Sequence, residues 1–244
     1  MIGIIAAMDQ EISELRDIMH EESSHDVSIG IHSGMTFIRG VMYGRDVVMV
    51  KCGIGKVNAA VAAEIMCIVY NVDMIINTGV AGSLDAEINI GDIVLSTSAM
   101  YHDMDVTALG YKRGEIPDQE ESVFSADEDL RMIAHNICTR DIPEIGVFEG
   151  MVVSGDQFVS GGKVREGVMS AARNYESFGK ALCCEMEGAA IAQVAWLNSV
   201  PYLIVRAISD KADNSAEMDY PEFQKQAIRH TVTLMTGLVK EIDE

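Results

Sequence analysis

The order of apolar and polar stretches along these 244 residues predicts an α/β protein, and three observations carry that prediction. Short apolar runs alternate with segments whose apolar residues recur at helical spacing, which is the pattern of a largely covered sheet between helices. A hydrophobic content of 48% is enough for a sizeable core at this length. Only four prolines occur and no Ser/Gly-rich linker or internal repeat is present, which favours a single domain over residues 1–244.

In chain order, a strand is expected at 2–6 and a helix at 10–19. Residues 28–33 and 35–41, joined across Gly34, suggest an antiparallel hairpin, and a strand follows at 46–51. A helix at 56–70 leads to strands at 74–77 and 92–96. Residues 101–125 are polar, contain Gly110, Gly114 and Pro117, and are expected to form a long loop; loops of this length in compact domains are usually functional or disordered. Beyond it come a helix at 126–138, strands at 145–154 and 181–184, a helix at 188–197 and a strand at 201–208. The last helix, 221–240, has Phe223, Ala227, Ile228, Leu234 and Val239 near one apolar face.

Charge narrows the range of partners. Against 38 acidic residues stand 18 basic ones, a formal charge of -20. Such a surface repels polyphosphate backbones and anionic membranes, so neither nucleic acid nor membrane is an expected partner. A small anionic ligand at a helix N-terminus stays compatible with it. The five cysteines, Cys52, Cys67, Cys138, Cys183 and Cys184, are odd in number, and an adjacent pair makes a poor disulfide framework; reduced, buried thiols in a cytoplasmic protein are expected. The N-terminus lacks a basic region before its apolar run and turns acidic at Asp9, unlike a signal peptide. Residues 188–205 carry no charge until Val205 is passed, but Gln193, Asn198, Ser199 and Pro201 interrupt them, as in a buried helix, a turn and a core strand rather than a membrane span.

Generic motifs fail. Gly53-Ile54-Gly55-Lys56 resembles a phosphate loop, yet Val50 stands where the pattern needs its first glycine and Val57 where it needs Ser or Thr. As a dinucleotide fingerprint it fails at Asn58, so a sharp strand-to-helix turn is the better reading. His102-Asp103-Met104-Asp105 lacks a second histidine at helical spacing, which argues against a metal site. Ser154-Gly155-Asp156 is not a nucleophile elbow.

Three carboxylates stand where strands run out: Glu11 after the first strand, Glu187 after 181–184, and Asp210 after the run ending Ile208-Ser209. Ligands of open α/β sheets gather at the carboxyl ends of strands, so the three could converge. Singly, each has a bland explanation: acids favour the first turn of a helix, and Asp210 could cap a turn.

The ordered segments Met8-Asp9-Gln10-Glu11, Ile75-Ile76-Asn77-Thr78-Gly79-Val80-Ala81-Gly82, Val153-Ser154-Gly155-Asp156-Gln157-Phe158, Cys184-Glu185-Met186-Glu187-Gly188-Ala189-Ala190 and Val205-Arg206-Ala207-Ile208-Ser209-Asp210 resemble those of the bacterial 5′-methylthioadenosine/S-adenosylhomocysteine nucleosidases of the nucleoside phosphorylase superfamily. The resemblance covers nearly the whole chain. It implies a three-layer α/β/α fold with a twisted, partly closed mixed sheet, and a homodimer whose neighbouring subunit lends part of the substrate pocket. It implies an adenine nucleoside as substrate and no cofactor or metal.

By the same resemblance, Asp210 protonates adenine N7, with Ser209 orienting its carboxyl; burial beside Ile208 and Phe158 would favour a proton-bearing acid there. Glu11 takes a proton from water and Arg206 helps fix that water, each general acid or base step being worth about 10²–10⁴-fold. Glu187 grips the ribose hydroxyls beside the Met186 backbone. Phe158 stacks on adenine, the Val159 backbone reads its edge, and Gly82 lets backbone approach the sugar. The 5′-substituent lies among Met8, Ile54, Met186 and Tyr220, with Val106, Leu109 and Pro117 coming from the partner. Two departures stand out: Val80 where some members carry serine, and Leu109 in place of an aromatic residue.

Water is the expected nucleophile. Related phosphorylases place arginine and serine where this chain has Asn77 and Val80, and a phosphate dianion would meet Asp9 and Glu11. The nearest rival substrate is 6-amino-6-deoxyfutalosine, which similar proteins cleave with the same residues. An AMP nucleosidase would need an additional basic domain. A non-catalytic nucleoside-binding protein would be expected to lack one of Glu11, Glu187 or Asp210, and all three are here.

Overall fold

The computed structural model describes residues 1–23, 27–213 and 216–242, except the side chains of 216–222 and 224–227. Ten strands and six α-helices occur among the described residues. They are β1 (Ile2–Ala6), α1 (Asp9–Glu22), β2 (Ser28–His32), β3 (Met35–Met42), β4 (Arg45–Lys51), α2 (Lys56–Ile68), β5 (Met74–Ser83) and β6 (Ile93–Tyr101), followed by β7 (Val123–Ser125), α3 (Glu128–Asp141), β8 (Val147–Ser154), α4 (Gly162–Arg173), β9 (Ala181–Glu185), α5 (Gly188–Leu197), β10 (Tyr202–Asp210) and α6 (Ala216–Glu241).

All ten strands join one mixed sheet in the order β10-β6-β8-β9-β5-β1-β4-β3-β2, with β7 on β6 and an additional β10–β5 pairing. That pairing closes β5, β10, β6, β8 and β9 into a ring, while β1 to β4 extend from β5 as an open wing. The closure depends on the length of β5. Its first half pairs with β1, whereas Gly82 and Ser83 at its far end pair antiparallel with Cys184 and Cys183 of β9.

Helices cover both faces. Along β10, Leu203, Val205 and Ala207 pack with Leu15 of α1, Ile137 of α3 and Leu238 of α6 on one side. Tyr202, Ile204 and Ile208 pack with Ala59 of α2 and Ile191 of α5 on the other. Period-two alternation sends successive side chains to opposite faces, so a strand covered on both sides reads as one continuous apolar run. The arrangement is the expected three-layer α/β/α, partly closed. On the final helix Ile228, Leu234 and Val239 are buried and Phe223 half-buried; the side chain of Ala227 lies outside the described residues.

Several elements depart from the sequence expectation. Helix α4 was not anticipated, because only Val168, Ala171 and Ala172 of its twelve residues are buried and glycines flank and interrupt it. Strands β5, β6 and β10 each run further toward their C-terminal ends than their apolar runs do. Residues 102–122 hold no strand or α-helix, only a 3₁₀ turn at Thr107–Leu109, and lead into the three-residue β7. The uncharged stretch from Gly188 resolves into α5, a turn and β10, and no helix among the described residues is long and apolar enough to cross a membrane. The five cysteines are free thiols, four of them buried.

Candidate active site

A cavity of about 330 Å³ opens where β1, β5, β9 and β10 end. That volume lies within the roughly 300–1,000 Å³ of small-molecule sites. Glu11, Glu187 and Asp210 all line it. So do Met8, Ile54, Gly82, Phe158, Val159, Met186 and Ser209. Arg206 does not reach the cavity; it stands behind the wall, 2% exposed. Val106, Leu109 and Pro117 lie away from the cavity of their own chain, and Leu109 is 75% exposed. Tyr220 falls within α6, but its side chain lies outside the described residues.

Glu11 is the third residue of α1, placed to reach back over its own helix start. Its Oε2 accepts the amides of Ala7 at 3.0 Å and Met8 at 2.8 Å, and Oε1 accepts the Val80 amide at 3.2 Å. Burial raises its carboxyl above the ordinary value, although Arg206 and these amides pull the other way. A Cβ on Gly79 would stand 2.8 Å from Glu11 Oε1 and 3.4 Å from Arg206 Nη1. Glycine is therefore required there to admit a carboxylate and a guanidinium.

Asp210 closes β10 after a register shift between Ile208 and Asp210, where two residues stand opposite Gly82. Such a bulge re-aims side chains, and here both Ser209 and Asp210 line the cavity. The Ser209 hydroxyl donates to Asp210 Oδ2 at 3.0 Å, as expected, and Oδ1 accepts the Ala212 amide at 2.8 Å. A Cβ on Gly82 would stand 2.7 Å from Asp210 Oδ1. Gly79 and Gly82 mark where the two carboxylates touch β5. Three residues of strand at about 3.3 Å each separate these contacts by about 10 Å.

Glu187 precedes α5 and lies against the sharp turn at Gly53 and Gly55, both with positive φ; the Gly55 amide donates to its Oε1 at 2.8 Å. Burial, reinforced by the negative charge of Glu185, pushes its carboxyl up to about 8. Phe158 is half exposed at the cavity edge, while Val159 is buried.

Glu185 is the residue that sequence reasoning missed. It lines the cavity and its carboxylate accepts from Arg206, the Ser154 hydroxyl and the backbone amides of Glu187 and Gly188. Burial alone would raise its carboxyl, but Arg206 and the Ser154 hydrogen bond hold it below the ordinary value. The available signal was the Glu185-Met186-Glu187 pair, one carboxylate on the strand and one at the helix start. Asn77, set where phosphorylases are expected to keep arginine, instead accepts from Arg206 and donates to the Ile5 carbonyl at 3.0 Å.

Asp103 serves a polar cluster beside the site, where Lys56 Nζ meets Asp103 Oδ2 at 2.6 Å and Asp156 Oδ2 at 3.8 Å. Among the described residues, no group of three His, Cys, Asp or Glu is placed to hold a metal ion. The arrangement suits proton transfer: three buried carboxyl groups line one cavity, burial raises the affinity of Glu11 and Glu187 for protons, and Glu11 is held by three amides near a buried cation.

The fold and a cavity lined by three carboxylates at strand ends define an α/β protein with a small-molecule site, and the comparisons name its class: the chain belongs to the phosphorylase superfamily, whose model matches residues 1–242. Within that superfamily it is 37% identical over 241 residues to the 5′-methylthioadenosine/S-adenosylhomocysteine nucleosidase of Shewanella halifaxensis, covering 99% of each chain. The crystal structure of the corresponding nucleosidase from Neisseria meningitidis, in complex with methylthio-immucillin-A, superposes with a TM-score of 0.89 at 34% identity and 99% coverage of both chains. Futalosine hydrolase of Helicobacter pylori gives 0.88 at 28% identity, covering 99% of this chain and 97% of its own.

Proposed function

We propose that this protein hydrolyses the N-glycosidic bond of 5′-methylthioadenosine and S-adenosylhomocysteine, releasing adenine and the 5′-substituted ribose. One observation carries the reading: Glu11, Glu187 and Asp210 line a single cavity, with Glu11 against Gly79 and Asp210 against Gly82, three residues further along β5. That span lets one carboxylate serve the base while the other serves the far face of the sugar.

In this mechanism adenine stacks on Phe158 while the Val159 backbone reads its edge, and Asp210, steadied by Ser209 and the Ala212 amide, gives a proton to N7. On binding, Glu187 releases its proton to solvent and, as the carboxylate, accepts hydrogen bonds from the ribose hydroxyls and supports the cationic sugar. Water on the opposite face gives a proton to Glu11, whose position is fixed by three amides. Arg206, a fixed positive charge behind Glu11, favours its carboxylate form. Phosphate is a poor substitute for this water, since it would face Glu11 and Glu187 while Arg206 is already engaged by Glu185 and Asn77.

Met8 and Ile54 give the 5′ side an apolar wall suited to a thioether. The similarity to futalosine hydrolase keeps 6-amino-6-deoxyfutalosine as the comparison substrate. We also propose a homodimer in which Val106, Leu109 and Pro117 complete the partner's thioether pocket. Val57 and Ile68 on α2 and Leu197 on α5 are 75%, 64% and 58% exposed, an apolar surface on the two mutually packed helices that flank the Ile54 turn.

The test is adenine release from 5′-methylthioadenosine by the purified protein in phosphate-free buffer. Free adenine at a rate unchanged by added phosphate is expected; product formed only with phosphate would overturn the hydrolase reading.

A further inference from the structure

The start of α5 raises a question of capping. A carboxylate at the residue before a helix ordinarily folds back onto that helix's first free amides. Glu187 occupies this position, yet its side chain makes no cap hydrogen bond and turns instead to the Gly55 amide and the cavity. The free amides are satisfied from elsewhere. Glu185 Oε2 accepts Glu187 N at 3.0 Å and Gly188 N at 2.8 Å, and the Ser154 hydroxyl oxygen accepts Ala189 N at 2.7 Å while donating to Glu185 Oε1.

The second observation concerns charge. Arg206 and Glu185 form an ion pair with side chains 2% and 3% exposed. Arg206 makes no ion pair within 4 Å with Glu11, although both crowd against Gly79. Were Glu185 neutral, the nearest carboxylate left to compensate the buried guanidinium would be Glu11 or Glu187. An uncompensated buried charge is strongly unfavourable, so one of them would be drawn toward it.

We infer that Glu185 is a positioning residue of this site: by capping α5 and matching the charge of Arg206, it releases Glu187 to face the ribose and leaves Glu11 unpaired to receive the proton of water. This rests on the nucleosidase reading above. The ionisable groups that face this centre are Glu11 of α1, Cys52 after β4, Tyr101 of β6 and His102 after it, Cys183 and Cys184 of β9, Glu187, and Arg206 of β10. Burial pushes the Cys52 thiol up to about 12, raises the Cys183 and Cys184 thiols as well, and lowers the affinity of His102 for a proton, so these four stay neutral near pH 7. The carboxylates around Arg206 are what the readout follows.

The experiment compares Glu185→Gln and Glu185→Asp with the unsubstituted protein in the adenine-release assay across pH. Glu185→Gln keeps the size and loses the charge. It should lower kcat about 100-fold or more and move the acid limb of kcat/KM to lower pH, because Arg206 then acts on Glu11 without compensation. Glu185→Asp keeps the charge and should recover at least tenfold in kcat with the acid limb restored. Unchanged kcat and an unmoved limb in Glu185→Gln overturn the inference. If Glu185→Gln does not fold by circular dichroism, Ser154→Ala decides: a KM raised threefold or more supports the capping role, and an unchanged KM overturns it. Failure of the unsubstituted protein to release adenine refutes the nucleosidase reading itself, a result distinct from either.

Discussion

Residues of the same chemical type take different roles here because their surroundings differ. Asp210 accepts from the Ser209 hydroxyl and the Ala212 amide where β10 meets the cavity, and we propose that it is the acid that protonates adenine. Replacing it with asparagine keeps the shape and removes the transferable proton. Asp210→Asn is expected to lower kcat by about 10²–10⁴-fold, the usual worth of a general acid, while circular dichroism and Tm show an intact fold; activity within tenfold of the unsubstituted protein would remove Asp210 from this role. Glu187 makes a prediction about stability. The unfolded chain ionises it near 4.5, whereas the folded protein keeps its proton up to about 8. Between those values unfolding releases a proton, so the contribution of Glu187 to stability falls as pH rises. Glu187→Gln, which cannot ionise, should gain Tm relative to the unsubstituted protein as pH goes from 5 to 8; a Tm difference constant over that range would contradict the raised carboxyl.

At the scale of elements, the site is made by strands that continue past their apolar cores. The centres of β5 and β10 were legible because burial on both faces makes them apolar throughout. Their ends were not, since Thr78 to Ser83 contains the small residues that admit Glu11 and Asp210, and small polar residues read as loop. The same limit hid α4, whose buried face is two alanines and a valine. The three catalytic candidates could be found because each stands where an apolar run ends. Glu185 stands at such an end too, as the last residue of β9, but its part in the site shows only once Arg206 and the amides of α5 are seen around it. Val57 is 75% exposed two turns or less from the cavity turn at Ile54. Val57→Asp should shift the protein from dimer to monomer in analytical ultracentrifugation and raise KM for 5′-methylthioadenosine at least tenfold, as the partner's loop is lost; a dimer with unchanged KM would refute the shared pocket.

For the whole molecule, closing five strands into a ring joins groups remote in sequence: residues just after β1 and residues from β5, β9 and β10 surround one cavity because β5 is long enough to meet β1 at one end and β9 at the other. One sheet runs from Ile2 to Asp210 with α6 packed on it, and we propose that the chain folds as a single domain. A formal charge of -20 suits a neutral or zwitterionic nucleoside better than a phosphate co-substrate. The choice of nucleophile is thus where fold, charge and site meet, and isotope labelling reads it directly. When 5′-methylthioadenosine is turned over in ¹⁸O-enriched water, one labelled oxygen is expected on the anomeric carbon of the released 5-methylthioribose, with none in adenine and no effect of added phosphate. A sugar 1-phosphate as the product, with its anomeric oxygen drawn from phosphate, would contradict the account.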